Sequence, residues 1–493
     1  MLLHELVSAA AADHPHRPAV IAPDGSLRTF AEFDRDIRAV ASWVRAHTDP
    51  GDRVAVIGDN SLAYAQLYYG VPRARRLLTL INQRLDPAEQ LAQLLRTEPA
   101  VLVADRVHLE RHTELKAVRS LRQIAVTDPP PWRDAAATEE PEPTADPADA
   151  AWLLFTSGST GSPKGVVHSH DSILAAVRGS VEGRAVAAGG VYLLPFPMCH
   201  IAGYNMLVQH AVGATVVLAA QFRAEAIAAT IRTLGVTSCS LAPTMLHALL
   251  THLDQTGSAL PTLRSIAYGS AAIPADLLRR ALNRLDVDFH QGYGMTETGG
   301  NVTFLGPQEH RAGAGGDADV LSGAGRPHSG VSLRIAEDGE ILIRGPQVAA
   351  RYWPDLPATD EQGWLRTGDV GRIDSVGRLF VVDRRKDIVV TGGENVSSRE
   401  VEDVLTGHPG IEMAAVVGVP DEYWGEAVCA VVVPAAGHDL SEDGVIRHVR
   451  ERLSAFKRPR HVLFVGELPM TTNGKIAKDM VRSQARATLS RDA

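Results

Sequence analysis

The chain has 493 residues, too many for one typical hydrophobic core, so at least two domains are expected. Hydrophobic residues make up 45% and charged residues 22%, which excludes a disordered chain. With 49 basic and 58 acidic side chains the formal net charge is −9, which argues against a nucleic-acid partner.

In chain order, the opening MLLHELVSAAAADHPHRP has no basic region and meets charges early, so a signal peptide is not expected. Residues 53–57 form a short apolar run that leads into Asn60 and a helical stretch to about Gly70. Residues 101–103, 191–194, 215–218 and 265–268 read as further strands, with helical patterns over 224–233, 243–252 and 274–283. This alternation predicts α/β layers with largely parallel pairing, whose ligand loops lie at strand ends. Residues 128–147, rich in Pro, Ala and acids, read as a solvated connection, and 306–319 as a Gly-rich loop.

No Asp, Glu, Lys or Arg occurs between Arg184 and Arg223. Pro195, Pro197, Gly203 and Gly213 break that stretch, and Asn205, Gln209 and His210 are polar, so it reads as buried core and not as a membrane span. From Arg334 onward short β runs appear at 333–335, 340–344 and 379–382, then a charged segment at 383–387 and a smaller α/β unit. Cys199, Cys239 and Cys429 are too scattered for a metal site or a disulfide framework, which fits a reducing cytoplasm.

Residues 151–155 form an apolar run that reads as a buried strand ending in the loop TSGSTGSPKG, residues 156–165. Glycines let backbone approach a ligand, successive N–H groups and hydroxyls face an anion, and Lys164 adds charge. The spacing differs from the common nucleotide P-loop, and a Gly/Ser-rich turn by itself is more often a linker. This loop resembles the signature loop of the adenylate-forming ligases: acyl- and aryl-CoA synthetases, luciferases and peptide-synthetase adenylation domains. The resemblance continues in GYGMTET at 292–298, WLRTGD at 364–369, DRRKDIVVTGGENVSSREVE at 383–402 and PMTTNGKIAK at 469–478. Five motifs in this order are far more specific than any one of them.

The resemblance implies an α/β fold: a large N-terminal domain of layered mixed and parallel sheets with helices and a β-rich subdomain, residues 1–385. A small mobile α+β domain, residues 386–493, would follow a hinge at Lys386. It also implies a two-step reaction, in which a carboxylate attacks the α-phosphate of ATP and a thiol then attacks the acyl-adenylate. Joining two anions needs cations and N–H donors where charge accumulates. The phosphate contacts carried over are Thr156, Ser157, Gly158, Ser159, Thr160, Gly161 and Lys164. Gly269, Ser270 and Ala271 would wall the adenine, with Gly292, Tyr293, Gly294, Met295 and Thr296 completing the nucleotide site. Glu297, with Thr156, would serve magnesium, which prefers oxygen ligands. Asp369 would accept from the ribose hydroxyls with help from Arg384, and Lys475 would bridge carboxylate and α-phosphate oxygens. A lone Glu or Lys is usually only a solvated surface residue, and the motifs are what raise these two.

For the thiol step the resemblance points to Gly392 and Gly393 beside a pantetheine tunnel, and to Trp424, Phe456 and Arg458 for the CoA nucleotide. An aromatic ring for adenine and a cation for phosphate make physical sense there. FKRPR at 456–460 also reads as a plain basic turn. His200 resembles the group that gates the carboxylate site, and Tyr204, Met206, Met245 and Gly299 would line an apolar acyl pocket, together with Ile201, Met295 and Gly300. The uncharged run holds no Asp for a substrate amine. Gln291 before Gly292 supplies no cation for a second carboxylate. The expected substrate is therefore a monocarboxylic acid, aliphatic or aromatic, with ATP, Mg²⁺ and CoA. Loading of a carrier-protein pantetheine and a non-catalytic adenylate-binding scaffold are the alternatives. No integral membrane association is expected. Arg-Ala-Arg-Arg at 73–76 departs from the family pattern, and either local packing or a charge for CoA phosphate would explain it.

Overall fold

The computed structural model describes residues 1–112, 114–133, 145–156, 163–269, 273, 275–314, 318–471 and 475–492. The fold is α/β with mixed sheets, as expected. Its contacts divide it into two compact units, one of Met1–Ser270, Ala281–Ser332 and Ile343–Leu365, the other of Ala271–Arg280, Leu333–Leu342 and Arg366–Ala493. This division by contact falls ahead of Lys386 and does not bear on where the chain turns.

The first unit is built on two sheets. The eight-stranded one runs Leu356–Pro357, Arg351–Tyr352, Lys164–Ser169, Ala150–Thr156, Leu77–Leu80, Arg53–Ile57, Val101–Ala104, Gln123–Val126. Its last five strands are parallel and its first three antiparallel. The nine-stranded sheet has a parallel centre, in which Asp288–Met295, Ser265–Gly269, Ser238–Leu241, Val191–Leu194, Thr215–Leu218 and Pro18–Ile21 are neighbours. The central strands are buried on both faces, which is why they read as continuous apolar runs.

Helix Phe30–His47 shows how sequence sets an element. Thr29 and Glu32 close a reciprocal capping box at its start, with Glu32 accepting from the Thr29 N–H at 2.9 Å. Phe30, Phe33, Ile37, Val40 and Val44 fall on one stripe and are fully buried. The uncharged stretch folds as strand, short turn, helix Asn205–His210 and strand. Among the described residues no helix is long and apolar enough to cross a membrane. The 73–76 segment acts in packing: Arg76 donates to Thr48 Oγ1 and to the Thr48 carbonyl, both at 2.8 Å, and Arg75 pairs with Asp149 at 3.1 Å.

The second unit holds a sheet of Ser332–Ile335, Glu340–Arg344, Leu365–Ile373 and Leu379–Arg384, and a five-stranded sheet centred on Ile411–Asp421 and Gly425–Pro434. Along these two central strands alternate residues serve two cores. Ala414, Val416, Val428, Ala430 and Val432 pack with Val401 and Leu405 of one helix and Val445 and Val449 of another. Ala415, Val417, Ala427, Cys429 and Val431 pack with Val481 and Ala485. All three cysteines are buried free thiols, and burial pushes each up to about 12, so they are inert.

Candidate active site

In the first unit, strands Ala150–Thr156 and Lys164–Ser169 form a hairpin with Thr156 opposite Lys164. Strand Arg351–Tyr352 adds on the other side of Lys164–Ser169. That register sets the Lys164 ammonium over the Tyr352 ring, 5.0 Å from its centroid. The Tyr352 hydroxyl donates to Glu297 Oε1 at 3.2 Å. Burial and the Glu297 charge both raise the phenol, which keeps it a donor. Lys164, Tyr352 and Glu297 thus form one chain of contacts. The Thr156 hydroxyl reaches the Lys164 carbonyl only at 3.5 Å, too long to fix it.

Glu297 sits in the single turn Thr296–Thr298 that ends strand Asp288–Met295. Four contacts make that turn rigid. Thr298 Oγ1 accepts from the Met295 N–H at 3.0 Å and donates to the Gly300 carbonyl at 2.6 Å. Gln347 Nε2 donates to the Thr298 carbonyl at 2.7 Å, and the Ala349 N–H to that of Glu297 at 2.8 Å. His168 Nε2 lies 2.7 Å from the Thr296 carbonyl, so that nitrogen carries the proton. Burial lowers His168 to about 4, which leaves it neutral near pH 7. Glycine is required where the strands meet: a Cβ on Gly269 would lie 2.5 Å from the Gly292 carbonyl oxygen, and one on Gly292 2.1 Å from Asn301 Nδ2.

Beside this turn lies a cavity of about 70 Å³. Phe196, Ile201, Leu241 and Met295 give it apolar walls, and Tyr204, Asn205, Ser240 and Arg184 give it polar ones. Asn60 shapes the loop above it, since its amide donates to the carbonyls of Phe196 and Ala219, both at 2.9 Å, and its Oδ1 accepts from the Met198 N–H.

In the second unit, Asp369 and Arg384 face each other across paired strands, with Arg384 Nε 3.2 Å from Asp369 Oδ1. Asp369 is buried, while half the Arg384 side chain is exposed. Lys475 belongs to the same charge group. Desolvation lowers it to about 8, Arg384 pushes it the same way, and Asp369 opposes them. Lys386 pairs with Asp479 at 2.9 Å, and Asp387 pairs with Arg482 at 3.0 Å. Farther along, Gly392 has φ of +60°, and its N–H donates to the Trp424 carbonyl at 2.8 Å. The Arg460 guanidinium covers the Trp424 ring at 4.2 Å.

Residues 7–353 match the model of the AMP-binding enzyme family, and residues 400–475 match that of the AMP-binding enzyme C-terminal domain. The chain belongs to the AMP-binding enzyme family. It is 36% identical to a feruloyl-CoA synthase of Amycolatopsis sp over 484 residues, covering 95% of this chain and 96% of that one. A fatty acid–[acyl-carrier-protein] ligase of Streptomyces coeruleorubidus is 32% identical, covering 98% and 96%. The solved anthranilate CoA ligase in complex with anthranoyl-AMP superposes with a TM-score of 0.90 at 26% identity, covering 99% and 98%. These findings place the chain among the acid–thiol ligases, as its motifs implied.

In this AMP-binding enzyme Lys164 and Glu297 converge through Tyr352, and Asp369, Arg384 and Lys475 form a second group. Ser157, Gly158, Ser159, Thr160 and Gly161 lie outside the described residues, as do Ser270 and Ala271. Of the expected acyl-pocket residues, Tyr204 lines the cavity and His200, Met206, Met245 and Gly299 do not. Met206 is fully buried in the main core, because its short helix turns that side chain away from the cavity. Gly299 packs against His168 instead. Arg460, not Arg458, is the cation on Trp424, and Phe456 is 40% exposed. A Cβ on Gly392 would strike Trp424 at 2.6 Å, so that glycine answers to its neighbour ring as well as to its backbone. Sequence reasoning missed Tyr352, His168, Gln347 and Arg184. None lies in a motif, and only a strand pairing or a helix end brings each to the site.

Proposed function

We propose that this AMP-binding enzyme is an acyl-CoA synthetase. It activates a monocarboxylic acid, aliphatic or aromatic, as an acyl-adenylate and passes the acyl group to CoA. The observation that carries this reading is the grouping of Lys475 with Asp369 and Arg384 inside one unit, with the ammonium held near its titration point.

In the first step an acid oxygen attacks the α-phosphorus of ATP and pyrophosphate leaves. Lys164 neutralises charge on the outer phosphates, and Tyr352 keeps that ammonium in place. Glu297 offers a carboxylate oxygen, the donor type that magnesium prefers, on a turn too rigid to collapse. Bound with ATP, magnesium would draw negative charge off the phosphate oxygens. Asp369 accepts from the ribose hydroxyls. Lys475 places its charge between the two anions as they meet. In the second step the CoA sulfur, having given up its proton, attacks the acyl carbonyl and AMP leaves. Gly392, Trp424 and Arg460 form the surface that supports it, with Phe456 and Arg458 nearby in sequence, and Lys386 is the residue about which the small domain turns.

The test is release of AMP and pyrophosphate from ATP and Mg²⁺ with a panel of aliphatic and aromatic acids, each with and without CoA. CoA-dependent AMP release for some acid is the expected outcome. The carrier-protein ligase among the relatives favours a second reading, that the thiol sits on a carrier pantetheine. Pyrophosphate exchange that CoA does not pull forward would select that reading. No exchange with any acid would overturn both.

A further inference from the structure

Arg184 lies just past helix His170–Gly183, and its side chain turns into the protein, leaving the residue 6% exposed. It lines the cavity beside the Thr296–Thr298 turn. Its Nη1 donates to Asn205 Oδ1 at 2.6 Å, and Asn205 is oriented for this by donating its own amide to the Ala202 carbonyl at 2.8 Å. Its Nε has no hydrogen-bond partner among the described residues. No carboxylate there pairs with it either. Its charge is felt by Tyr192, Cys239 and His290. Burial keeps all three neutral near pH 7, so none balances it.

Strand register locates this cation along the cavity. Cys239 pairs with Ile266, Ser240 with Ala267, and Ala267 with His290. That level lies deep in the sheet. Met295 follows His290 by five residues on the same strand, roughly 16 Å further on at about 3.3 Å per residue. The mouth of the cavity is therefore the Glu297 end, and Arg184 is at its floor. Between them the walls are largely apolar. A buried guanidinium with an unused donor and no counter-charge is costly, and whatever supplies an acceptor recovers that cost.

We propose that Arg184 is a specificity-determining residue that selects acids carrying an oxygen acceptor at the end remote from the reacting carboxylate. A ring hydroxyl or methoxy group, a ketone, or a second carboxylate has the required chemistry. An acid ending in bare hydrocarbon leaves the floor of the cavity unsatisfied. This rests on the reading of the protein as an acid-activating ligase and sharpens its substrate class. It also supplies the buried cation that the sequence around Gln291 does not.

The experiment uses matched acids: cinnamic against 4-hydroxycinnamic, and hexanoic against 5-oxohexanoic and adipic. Their binding to the full chain is followed by calorimetry, and kcat/KM by pyrophosphate release. The wild type should favour an oxygen-bearing partner by about ten- to hundredfold, the range for a hydrogen bond to a charged group. In Arg184→Met that ratio should fall to within about threefold, mainly through KM. Arg184→Lys, which keeps the charge and loses the fork, should retain only part of it. The ketone and adipate arms separate a neutral acceptor from an anionic one. A wild type that does not discriminate, or an Arg184→Met protein that keeps the ratio or loses both acids equally, overturns the proposal. If thermal unfolding shows that Arg184→Met does not fold, Arg184→Lys decides, and an unchanged ratio there overturns it. Calorimetric discrimination without pyrophosphate release from any acid would instead sink the ligase reading and leave this subsite standing.

Discussion

The two units hold their functional groups in opposite ways. In the first, Glu297 rides on a turn fixed by His168, Gln347 and Ala349, and the groups that do the fixing are buried and neutral. In the second, Arg384, Arg385, Lys386 and Lys475 are charged and at least partly exposed. The Lys386–Asp479 pair, with side chains 34% and 68% exposed, is of the kind worth less than about 1 kcal/mol. Buried neutral contacts fix a shape. Solvated ion pairs can be exchanged at little cost, which suits a segment that has to turn.

Acid is the strongest way to break that contrast. Burial lowers His4 to about 3 and His168, His170, His210 and His290 to about 4, all in the first unit. Their ordinary value is 6.5. The unfolded chain therefore binds protons near pH 6.5 that the folded chain refuses until about 4. Stability from these groups is complete above 6.5 and lost as pH falls toward 4, at about 1.4 kcal/mol per group per pH unit. Together they amount to several kcal/mol. Calorimetry from pH 7 to 5 should show the first unit losing stability faster than the second, where His448 is the one histidine resolved as lowered among the described residues. Equal shifts of both would mean that the buried histidines do not control it.

Next in size is the split between the two half-reactions. Lys475→Ala should slow adenylate formation by about 10²–10³-fold. It should slow transfer from preformed acyl-adenylate to CoA far less. Gly392→Leu should do the reverse, because its side chain would meet Trp424 and occupy a left-handed backbone position. Pyrophosphate exchange reads the first step and thioester formation the second. A mutant pair that fails equally in both assays would remove the case for separate faces. The pH profile adds a sign: the Lys475 ammonium is lost as pH rises through about 8, so adenylation should decline above that value.

The same contrast explains what was legible beforehand. Strands such as Leu77–Leu80 and Val101–Ala104 are buried throughout and announce themselves as apolar runs. Thr156, Lys164, Glu297, Asp369 and Lys475 stand in motifs whose residue types follow from phosphate and ribose chemistry. Tyr352 and Arg184 were not legible. Tyr352 reaches Lys164 because a two-residue strand joins the hairpin edge, and a strand that short has no periodic signal. Arg184 looks like the basic end of a helix, which is normally solvated, and only the tertiary packing turns it inward. Met206 shows the opposite failure: a side chain in the right segment points to the core because a short helix fixes its face.

Tyr352 supplies the smallest effect and the most discriminating one. Tyr352→Phe removes only the hydroxyl that donates to Glu297 and leaves the ring under Lys164. A hydrogen bond to a charged group at a half-exposed site supports a loss of about tenfold in adenylation. That loss should appear as a raised Mg²⁺ requirement, since the Glu297 carboxylate loses its orientation. Tyr352→Ala removes the ring too, and the lost cation–π contact should cost a further factor of about two to five, felt in the KM for ATP. The two variants therefore separate orientation of the acid from support of the cation. If Phe and Ala are equally impaired, Lys164 does not depend on the ring. If Phe is as active as the wild type at limiting Mg²⁺, the turn alone positions Glu297, and its four backbone contacts account for the whole of its rigidity.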